Sequence, residues 1–223
     1  NDFLNPNKFQ FPIFAPMPMN VTKKDMGLPL MEEFLTIQGE GYHTGRGAYF
    51  IRLGGCDVGC VWCDVKESWN ANDHPKVSVD HLVQNVIDTN IDFVVITGGE
   101  PAMYRLDILT EELNEKGVET AIETSGVYEL SGKWHWVCFS PKKFKAPKAS
   151  IYKVANELKV IIFNAHDFKW AEEHAAKVND RCVLYLQPEW GKQDEMMPLI
   201  INYVKQNPKW RISLQTHKYM NIP

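Results

Sequence analysis

The chain has 223 residues, of which 44% are hydrophobic and 23% are charged, and this composition is typical of a globular protein. Its 24 basic and 28 acidic side chains leave a net charge of −4, which argues against a nucleic-acid-binding protein with a broad basic surface. The apolar runs are short and interrupted by charges and prolines, which argues against a membrane span and a signal peptide, so we expect a cytoplasmic protein.

Residues 1–28 form the first predicted element, an extended arm in which prolines separate aromatic and aliphatic residues. Such an arm can lie against a second copy of the chain or against its own core, and the sequence leaves both open. The rest of the chain contains no internal repeat and no low-complexity linker. We therefore expect a single domain over residues 29–223.

Within that domain, short runs rich in β-branched and aromatic residues alternate with amphipathic patterns. The runs predict strands at residues 48–53, 93–97, 119–124, 136–140, 157–163, 182–187 and 210–215. The amphipathic patterns predict a helix capped by Ser78, a second that ends near Gly117, and two more at about 167–178 and 194–205. This alternation predicts an α/β fold with a mainly parallel sheet. About 195 residues are too few for the roughly 250 of a complete eightfold barrel, so we predict an open, partial barrel.

Polar clusters lie at or just after the ends of five predicted strands. Parallel strands place their carboxyl ends on one rim of the sheet, where α/β proteins commonly bind ligands, so we expect an active site there. The clusters are Thr97-Gly98-Gly99-Glu100-Pro101, Glu123-Thr124-Ser125-Gly126, Ser140-Pro141-Lys142, Gln187-Pro188-Glu189 and Gln215-Thr216-His217-Lys218.

The five cysteines are unevenly spaced, which argues against a disulfide framework and favours a metal or redox site. Cys56, Cys60 and Cys63 form a C-x₃-C-x₂-C motif directly after a predicted strand, whereas Cys138 and Cys182 stand apart and predict small buried residues. Three close thiolates suit an iron–sulfur cluster, or a zinc ion with a histidine (His43 or His74) as fourth ligand. We favour a [4Fe–4S] cluster, in which three cysteines leave one iron open.

The residues around these cysteines resemble those of a known family. The motif, with Trp62 before its last cysteine, is similar to that of the radical S-adenosylmethionine (SAM) superfamily, whose [4Fe–4S] cluster binds SAM and cleaves it reductively. From about residue 30 to the last residue, the flanking motifs resemble the 7-carboxy-7-deazaguanine synthase family. Those motifs are Ile37-Gln38-Gly39-Glu40-Gly41, Phe50-Ile51-Arg52-Leu53, the first three of the polar clusters above, and the ending from Leu214 to Pro223, which contains the fifth cluster.

This resemblance implies a lyase of the radical SAM type. The family converts 6-carboxy-5,6,7,8-tetrahydropterin to 7-carboxy-7-deazaguanine with loss of ammonia, on the route to queuosine and related deazapurines. The resemblance also implies a homodimer and an external electron donor, either flavodoxin-like or ferredoxin-like. Two alternatives remain open at this point: a radical SAM activase of a partner protein, and a zinc-binding interaction module.

The resemblance further implies roles for individual residues, with none catalytic beyond the cofactor ligands. The implied cluster ligands are Cys56, Cys60 and Cys63. The implied SAM contacts are Trp62, Cys63, Asp64, Gly98, Gly99, Glu100, Ser140, Pro141, Lys142, Gln187, Pro188, Glu189 and Trp190. The implied substrate contacts are Ile37, Gln38, Gly39, Arg52, Thr97, His217 and Pro223, the last through its α-carboxylate.

Three charged or polar positions carry expectations of their own. Arg52 interrupts an apolar strand and is a suitable partner for the substrate carboxylate, because a buried arginine without a partner is costly. Glu157 and Lys159 lie two apart on one predicted strand and therefore face the same side, as pocket residues or as a surface charge pair.

Val65 departs from the family pattern. The family commonly has a serine or threonine at this position, and that hydroxyl helps to hold Mg²⁺ near the substrate carboxylate. Valine offers no ligand oxygen, so we expect weak stimulation by Mg²⁺ or none.

Overall fold

A computed structural model describes residues 27–223, so all but the last two residues of the predicted arm lie outside the described part. The described residues form one sheet of nine strands. The strands are β1 Gly27–Ile37, β2 Gly47–Leu53, β3 Lys76–Ser78, β4 Phe93–Gly98, β5 Glu119–Thr124, β6 Trp136–Phe139, β7 Glu157–Ile162, β8 Val183–Pro188 and β9 Trp210–Ile212.

The strand order confirms the predicted α/β fold with an open, mainly parallel sheet. The order is β3-β1-β2-β4-β5-β6-β7-β8-β9, and the two edge strands, β3 and β9, do not pair with each other. Strand β1 pairs antiparallel with β2 and β3, whereas every pair from β2–β4 to β8–β9 is parallel. The carboxyl ends of the parallel strands therefore share one rim.

Helices connect the parallel strands and cover one face of the sheet. They are α1 Val79–Asp88, α2 Asp107–Glu115, α3 Ile151–Val154, α4 Asp167–Ala175, α5 Gln193–Gln206 and α6 Thr216–Met220. Ser78 caps α1 by accepting a hydrogen bond from the His81 N–H, as the sequence predicts. The longest of these helices, α5, has 14 residues, and none in the described part has the length and apolar character needed to cross a bilayer.

Alternation along each strand divides the side chains between two faces. On β4, Val94 and Ile96 join the large core beneath the helices, whereas Phe93 and Val95 join a smaller cluster on the inner face with residues of β2 and β5. The same period-2 rule puts the polar residues of the strands on the inner face. Those residues are Arg52, Thr97, Glu123, Cys138, Glu157 and Lys159.

The sequence-based prediction missed β1 and β3. A register shift between Leu30 and Glu32 interrupts the alternation of β1, so its apolar residues do not follow a period of two. The strand also begins at Gly27, two residues inside the predicted arm. Strand β9 is shorter than predicted, because residues 213–215 leave the sheet and their polar side chains bond inward. Cys182 lies just before β8 and is only partly buried, whereas Cys138 is buried in β6 as expected.

Candidate functional site

A cavity of about 280 Å³ lies at the rim formed by the carboxyl ends of the parallel strands. Each of the five polar clusters contributes to its wall. Every residue that the family resemblance implies for the site lines it, except Pro141. The cavity is thus formed jointly by the cysteine loop, the strand ends and the C-terminal segment.

The cysteine loop follows β2 directly and closes one side of the cavity. Its backbone is fixed by hydrogen bonds from the Cys56 N–H to the Trp69 carbonyl (3.0 Å) and from the Cys63 N–H to the Cys60 carbonyl (3.2 Å). All three thiols pack around one small apolar cluster, and all three are free of disulfides. Burial, with Glu100 and the other two thiols nearby, raises the pKa of Cys56 to about 11. Without a metal this thiol is therefore protonated at neutral pH.

The donor set fits an iron–sulfur cluster and argues against zinc. Three soft thiolates line one cavity, and each would bind its own iron in a four-iron cluster. No group of three His, Cys, Asp or Glu side chains within residues 27–223 is arranged to hold a single metal ion. The histidines considered as fourth zinc ligands lie elsewhere: His74 Nε2 is 2.9 Å from the Glu67 carbonyl, and His43 packs against Trp136 and Phe93. A protein-held zinc site is therefore not formed.

The glycine pair after β4 packs directly on the cysteine loop. A Cβ at Gly99 would lie 2.3 Å from the Gly55 carbonyl oxygen and 2.9 Å from Cys56 Cβ, and Gly98 has a φ of +135°. A larger residue at Gly99 would push the loop away, and one at Gly98 would collide with the backbone of Leu53 in β2. The glycines therefore leave backbone, and no side chain, between the strand end and the cysteines.

Glu100 is fully buried next to these glycines, and its carboxylate is saturated by protein donors. Its oxygens accept hydrogen bonds from the backbone N–H groups of Ala102 and Ser125 and from the hydroxyls of Thr124 and Ser125. Glu100 lines the cavity, but its hydrogen bonds link the ends of β4 and β5. The family motif alone does not reveal this internal role.

The residues implied for the substrate form a further part of the cavity wall. The C-terminal segment packs on residues 37–39, where a Cβ on Gly39 would lie 2.3 Å from His217 Nδ1. The Pro223 carbonyl oxygen accepts a hydrogen bond from the Thr36 hydroxyl (3.1 Å). Arg52 lines the cavity but already has a protein partner, because its Nε donates to Glu32 (2.6 Å) across the β1–β2 pair. This partner was not predicted, because strand β1 was not predicted.

A charged layer, which we define as Glu40, Glu123 and Lys159, forms the floor of the cavity. Lys159 is 3% exposed and its ammonium group pairs with both carboxylates, at 3.4 Å from Glu123 Oε2. Further hydrogen bonds join Gln38 to Glu123 (3.0 Å) and Gln215 to Glu40 (2.9 Å). The reading of Glu157 and Lys159 as a surface charge pair is therefore wrong, because both are buried on the inner face.

The ionisation of the charged layer follows from its pairing. Burial alone would raise the pKa of Glu40, but the charge and hydrogen bond of Lys159 lower it to about 2. The pKa of Lys159 is raised well above its ordinary value, because the neighbouring carboxylates outweigh the cost of burial. The sequence missed Glu40 and Glu123 as floor residues, although Glu40 lies inside the 37–41 motif. A lysine within an otherwise apolar strand was the available signal.

Comparisons with known proteins agree with the geometry. The model of the radical SAM superfamily matches residues 50–131. The 7-carboxy-7-deazaguanine synthase of Flavobacterium psychrophilum is 59% identical over 203 residues, which cover 91% of this chain and 96% of that protein. That of a Synechocystis species is 48% identical and covers 87% and 93%, respectively. The crystal structure of QueE from Escherichia coli superposes with a TM-score of 0.78 at 32% identity, covering 86% of this chain and 95% of that chain.

Proposed function

Because the chain belongs to the 7-carboxy-7-deazaguanine synthase family of radical SAM enzymes, we propose that it converts 6-carboxy-5,6,7,8-tetrahydropterin to 7-carboxy-7-deazaguanine with loss of ammonia, in queuosine biosynthesis. The observation that carries the proposal is that the three cysteines and the charged floor line one cavity. The alternatives of an activase and of a zinc-binding interaction module find no support among these relatives.

Membership of the radical SAM superfamily implies a [4Fe–4S] cluster and SAM as cofactors. When bound, they supply the carbon-centred radical that takes a hydrogen atom from C6 of the pterin. We propose that Cys56, Cys60 and Cys63 hold the cluster. The residues proposed to contact SAM come from the cysteine loop and from the ends of β4, β6 and β8. They are Trp62, Cys63, Asp64, Gly98, Gly99, Ser140, Lys142, Gln187, Pro188, Glu189 and Trp190.

Two residues of the SAM set are assigned differently. Glu100 acts by holding the ends of β4 and β5 in place, since all its hydrogen-bond partners lie within the chain. Pro141 does not line the cavity, so its role is to orient Ser140 and Lys142 on either side of it. In both assignments the residue acts by positioning its neighbours and does not itself contact SAM.

The proposed substrate contacts suit a flat heterocycle that carries a carboxylate. Arg52 and Lys159 supply positive charge for the carboxylate, and the acceptor oxygens of Gln38, Thr97 and Glu123 face the same space for the donor-rich edge of the pterin. Ile37, Gly39, His217 and Pro223 complete the wall. Held between the floor and the cysteine loop, the pterin would present one C–H bond to the radical while water is excluded.

Anaerobic turnover tests this function. The reconstituted enzyme, supplied with SAM, a reductant and 6-carboxytetrahydropterin, is expected to release one ammonia for each 7-carboxy-7-deazaguanine identified by mass spectrometry. Omission of SAM is the control. Cleavage of SAM without any change in the pterin would contradict the proposed substrate and leave only the superfamily assignment.

Magnesium provides a second test, at Val65. Val65 lines the cavity, but its side chain has no oxygen to bind a metal ion. We therefore propose that this position does not hold Mg²⁺. Adding Mg²⁺ to chelator-treated enzyme is expected to change kcat by less than about twofold, and Val65→Thr is expected to gain a saturable response because it restores a hydroxyl ligand. The matched control is Val61→Thr on the exposed part of the same loop. Strong stimulation of the wild type would show that the metal is held without this hydroxyl.

The remaining partners are proposals as well. Enzymes of this superfamily need an external electron donor, and we propose a flavodoxin-like or ferredoxin-like protein for this chain. We also propose a homodimer. The predicted contribution of the arm to that dimer concerns residues outside the described part of the chain.

A further inference from the structure

A second, much smaller chamber lies directly beneath the floor of the main cavity. Its volume is about 10 Å³, which is close to the smallest space that admits one water molecule. Gln38, Glu40 and Glu123 line both spaces, so the charged floor separates the chamber from the proposed substrate site. The other lining residues are His43, Phe93, Val95, Ala121, Ile122, Trp136, Cys138 and Glu157.

Glu157, which lines this chamber, has one unpaired oxygen. The side chain is 3% exposed, and its Oε2 accepts hydrogen bonds from the Trp136 indole N–H (3.0 Å) and the Tyr42 backbone N–H (3.2 Å). Its Oε1 makes no hydrogen bond with any residue of the described part of the chain. A buried carboxyl oxygen without a partner is destabilising, so it requires an explanation.

His43 contributes a second unpaired atom to the same chamber. Its Nε2 is buried and, within residues 27–223, has no hydrogen-bond partner. The ring is held edge-on against Trp136 and near Phe93, but the residue as a whole is only half buried, and its neighbours Tyr42 and Thr44 are exposed. His43 therefore connects the chamber with the solvent at the end of the barrel opposite the cysteine loop.

The two unpaired atoms and the size of the chamber point to one occupant. A buried water molecule needs two to four polar partners, and the chamber offers Glu157, His43 and the carboxylates of the floor. We propose that the chamber holds a single water molecule, and that Glu157 and His43 form with it a proton path from the charged layer to the solvent. This proposal rests on the proposed function, because it assigns the path to the ammonia-releasing step.

The chemistry of that step releases a proton. Loss of ammonia breaks one C–N bond and one C–H bond of the ring-contracted substrate. The electrons of the C–H bond form the new C=C bond, and the electrons of the C–N bond leave with the nitrogen. When a protonated amino group departs as neutral ammonia, the proton from carbon passes to a base. We assign that base to the floor of the cavity, because Glu40 and Glu123 line both the proposed substrate site and the chamber.

Glu157 is better suited than Glu40 to carry this proton. Lys159 holds the pKa of Glu40 near 2, so Glu40 stays ionised. Burial raises the pKa of Glu157, although Lys159, Trp136 and the Tyr42 N–H oppose the shift. Three other titratable groups interact electrostatically with Glu157: Glu123, Cys138 and Cys182. Burial and the charge of Arg46 lower the pKa of His43, which keeps its imidazole neutral and able to accept a proton.

The test uses the reconstituted enzyme with Glu157→Gln, a variant of nearly the same shape that cannot ionise. We expect kcat to fall about tenfold or more, with KM for the pterin changed by less than about twofold and a larger solvent deuterium isotope effect on kcat. His43→Gln is expected to act in the same direction. A second readout does not depend on turnover: infrared difference spectra between wild type and Glu157→Gln, recorded over a range of pH, should show that the Glu157 carboxyl group titrates above the ordinary range of a glutamate.

Glu172→Gln is the matched control, because Glu172 also accepts a hydrogen bond from a tryptophan indole, that of Trp210, but lies on α4 outside the sheet. This control should retain the kinetics of the wild type. Wild-type kcat and isotope effect in both chamber variants would overturn the proposal, as would loss of cluster iron in both, since the residues would then be structural. Absence of deazaguanine from the wild type would instead refute the proposed function.

Discussion

Alanine at Cys56, Cys60 or Cys63 is expected to abolish cluster binding and product formation together. Each thiolate supplies the protein's only bond to one iron, and the nearby His74 is already engaged with the Glu67 carbonyl. We expect turnover to fall by more than about a hundredfold, which exceeds the effect of losing an outer hydrogen-bond partner at a metal site. The measurements are iron and sulfide content, the visible absorption of the cluster, and product formation under anaerobic conditions.

The control for these variants is Cys182→Ala. Cys182 is partly buried before β8 and does not line the cavity, so the variant should keep the iron content and turnover of the wild type. Circular dichroism of the apoproteins distinguishes loss of a ligand from loss of the fold. Full iron content in any one of the three ligand variants would refute the assignment of that cysteine, and full content in all three would refute the cluster site.

The parallel core of the fold was predictable because its strands carry strong local signals. The runs that became β4, β5 and β7 are rich in β-branched residues, and their limits agree with the structure within about one residue. Strand β1 was not predictable in the same way. Its bulge and its acidic pair at Glu32 and Glu33 break the period of two, and its partner β3 is distant in sequence.

The residues of the site also fall into a predicted and an unpredicted group. Residues that belong to compact motifs, such as the cysteines and the glycine pair, were predicted from sequence and all reach one cavity. The hydrogen-bond partners of Arg52 and Glu100 were not predicted. The partner of Arg52 lies on β1, across a chain reversal, and a partner of Glu100 follows the neighbouring strand β5. The charged layer was not predicted for a similar reason. Glu40, Glu123 and Lys159 come from three separate segments and meet only because they share the inner face of the sheet.

Lys159→Met is expected to have the largest effect of any substitution in the floor. The methionine fills a similar volume, but Glu40 and Glu123 then remain buried without their cation. Breaking a buried ion pair from one side costs about 3–5 kcal/mol, so we expect the free energy of unfolding of the apoprotein at pH 7 to fall by about that amount. Turnover should fall as well, because the same ammonium group faces the proposed substrate site.

The effect of pH on the free energy of unfolding follows from the pKa values of Glu40 and Lys159. The pKa of Glu40 is lowered from 4.5 to about 2 in the folded protein, so its contribution to stability is complete above pH 4.5 and is lost as the pH falls through 2. The raised pKa of Lys159 means that its contribution is complete below pH 10.5 and is lost at higher pH. The difference between wild type and Lys159→Met should therefore be largest between these limits and should shrink on acidification. Urea unfolding of both apoproteins at pH 7 and pH 4 measures it.

Two comparisons decide whether the loss comes from the uncompensated charge. Lys209→Met removes a half-exposed lysine from its pair with Glu172, and should cost less than about 1 kcal/mol, because exposed ion pairs contribute little. The double variant Lys159→Met/Glu40→Gln removes one of the two stranded carboxylates and should recover part of the stability lost in Lys159→Met. If it recovers none, the uncompensated charge of Glu40 is not the source of the lost stability.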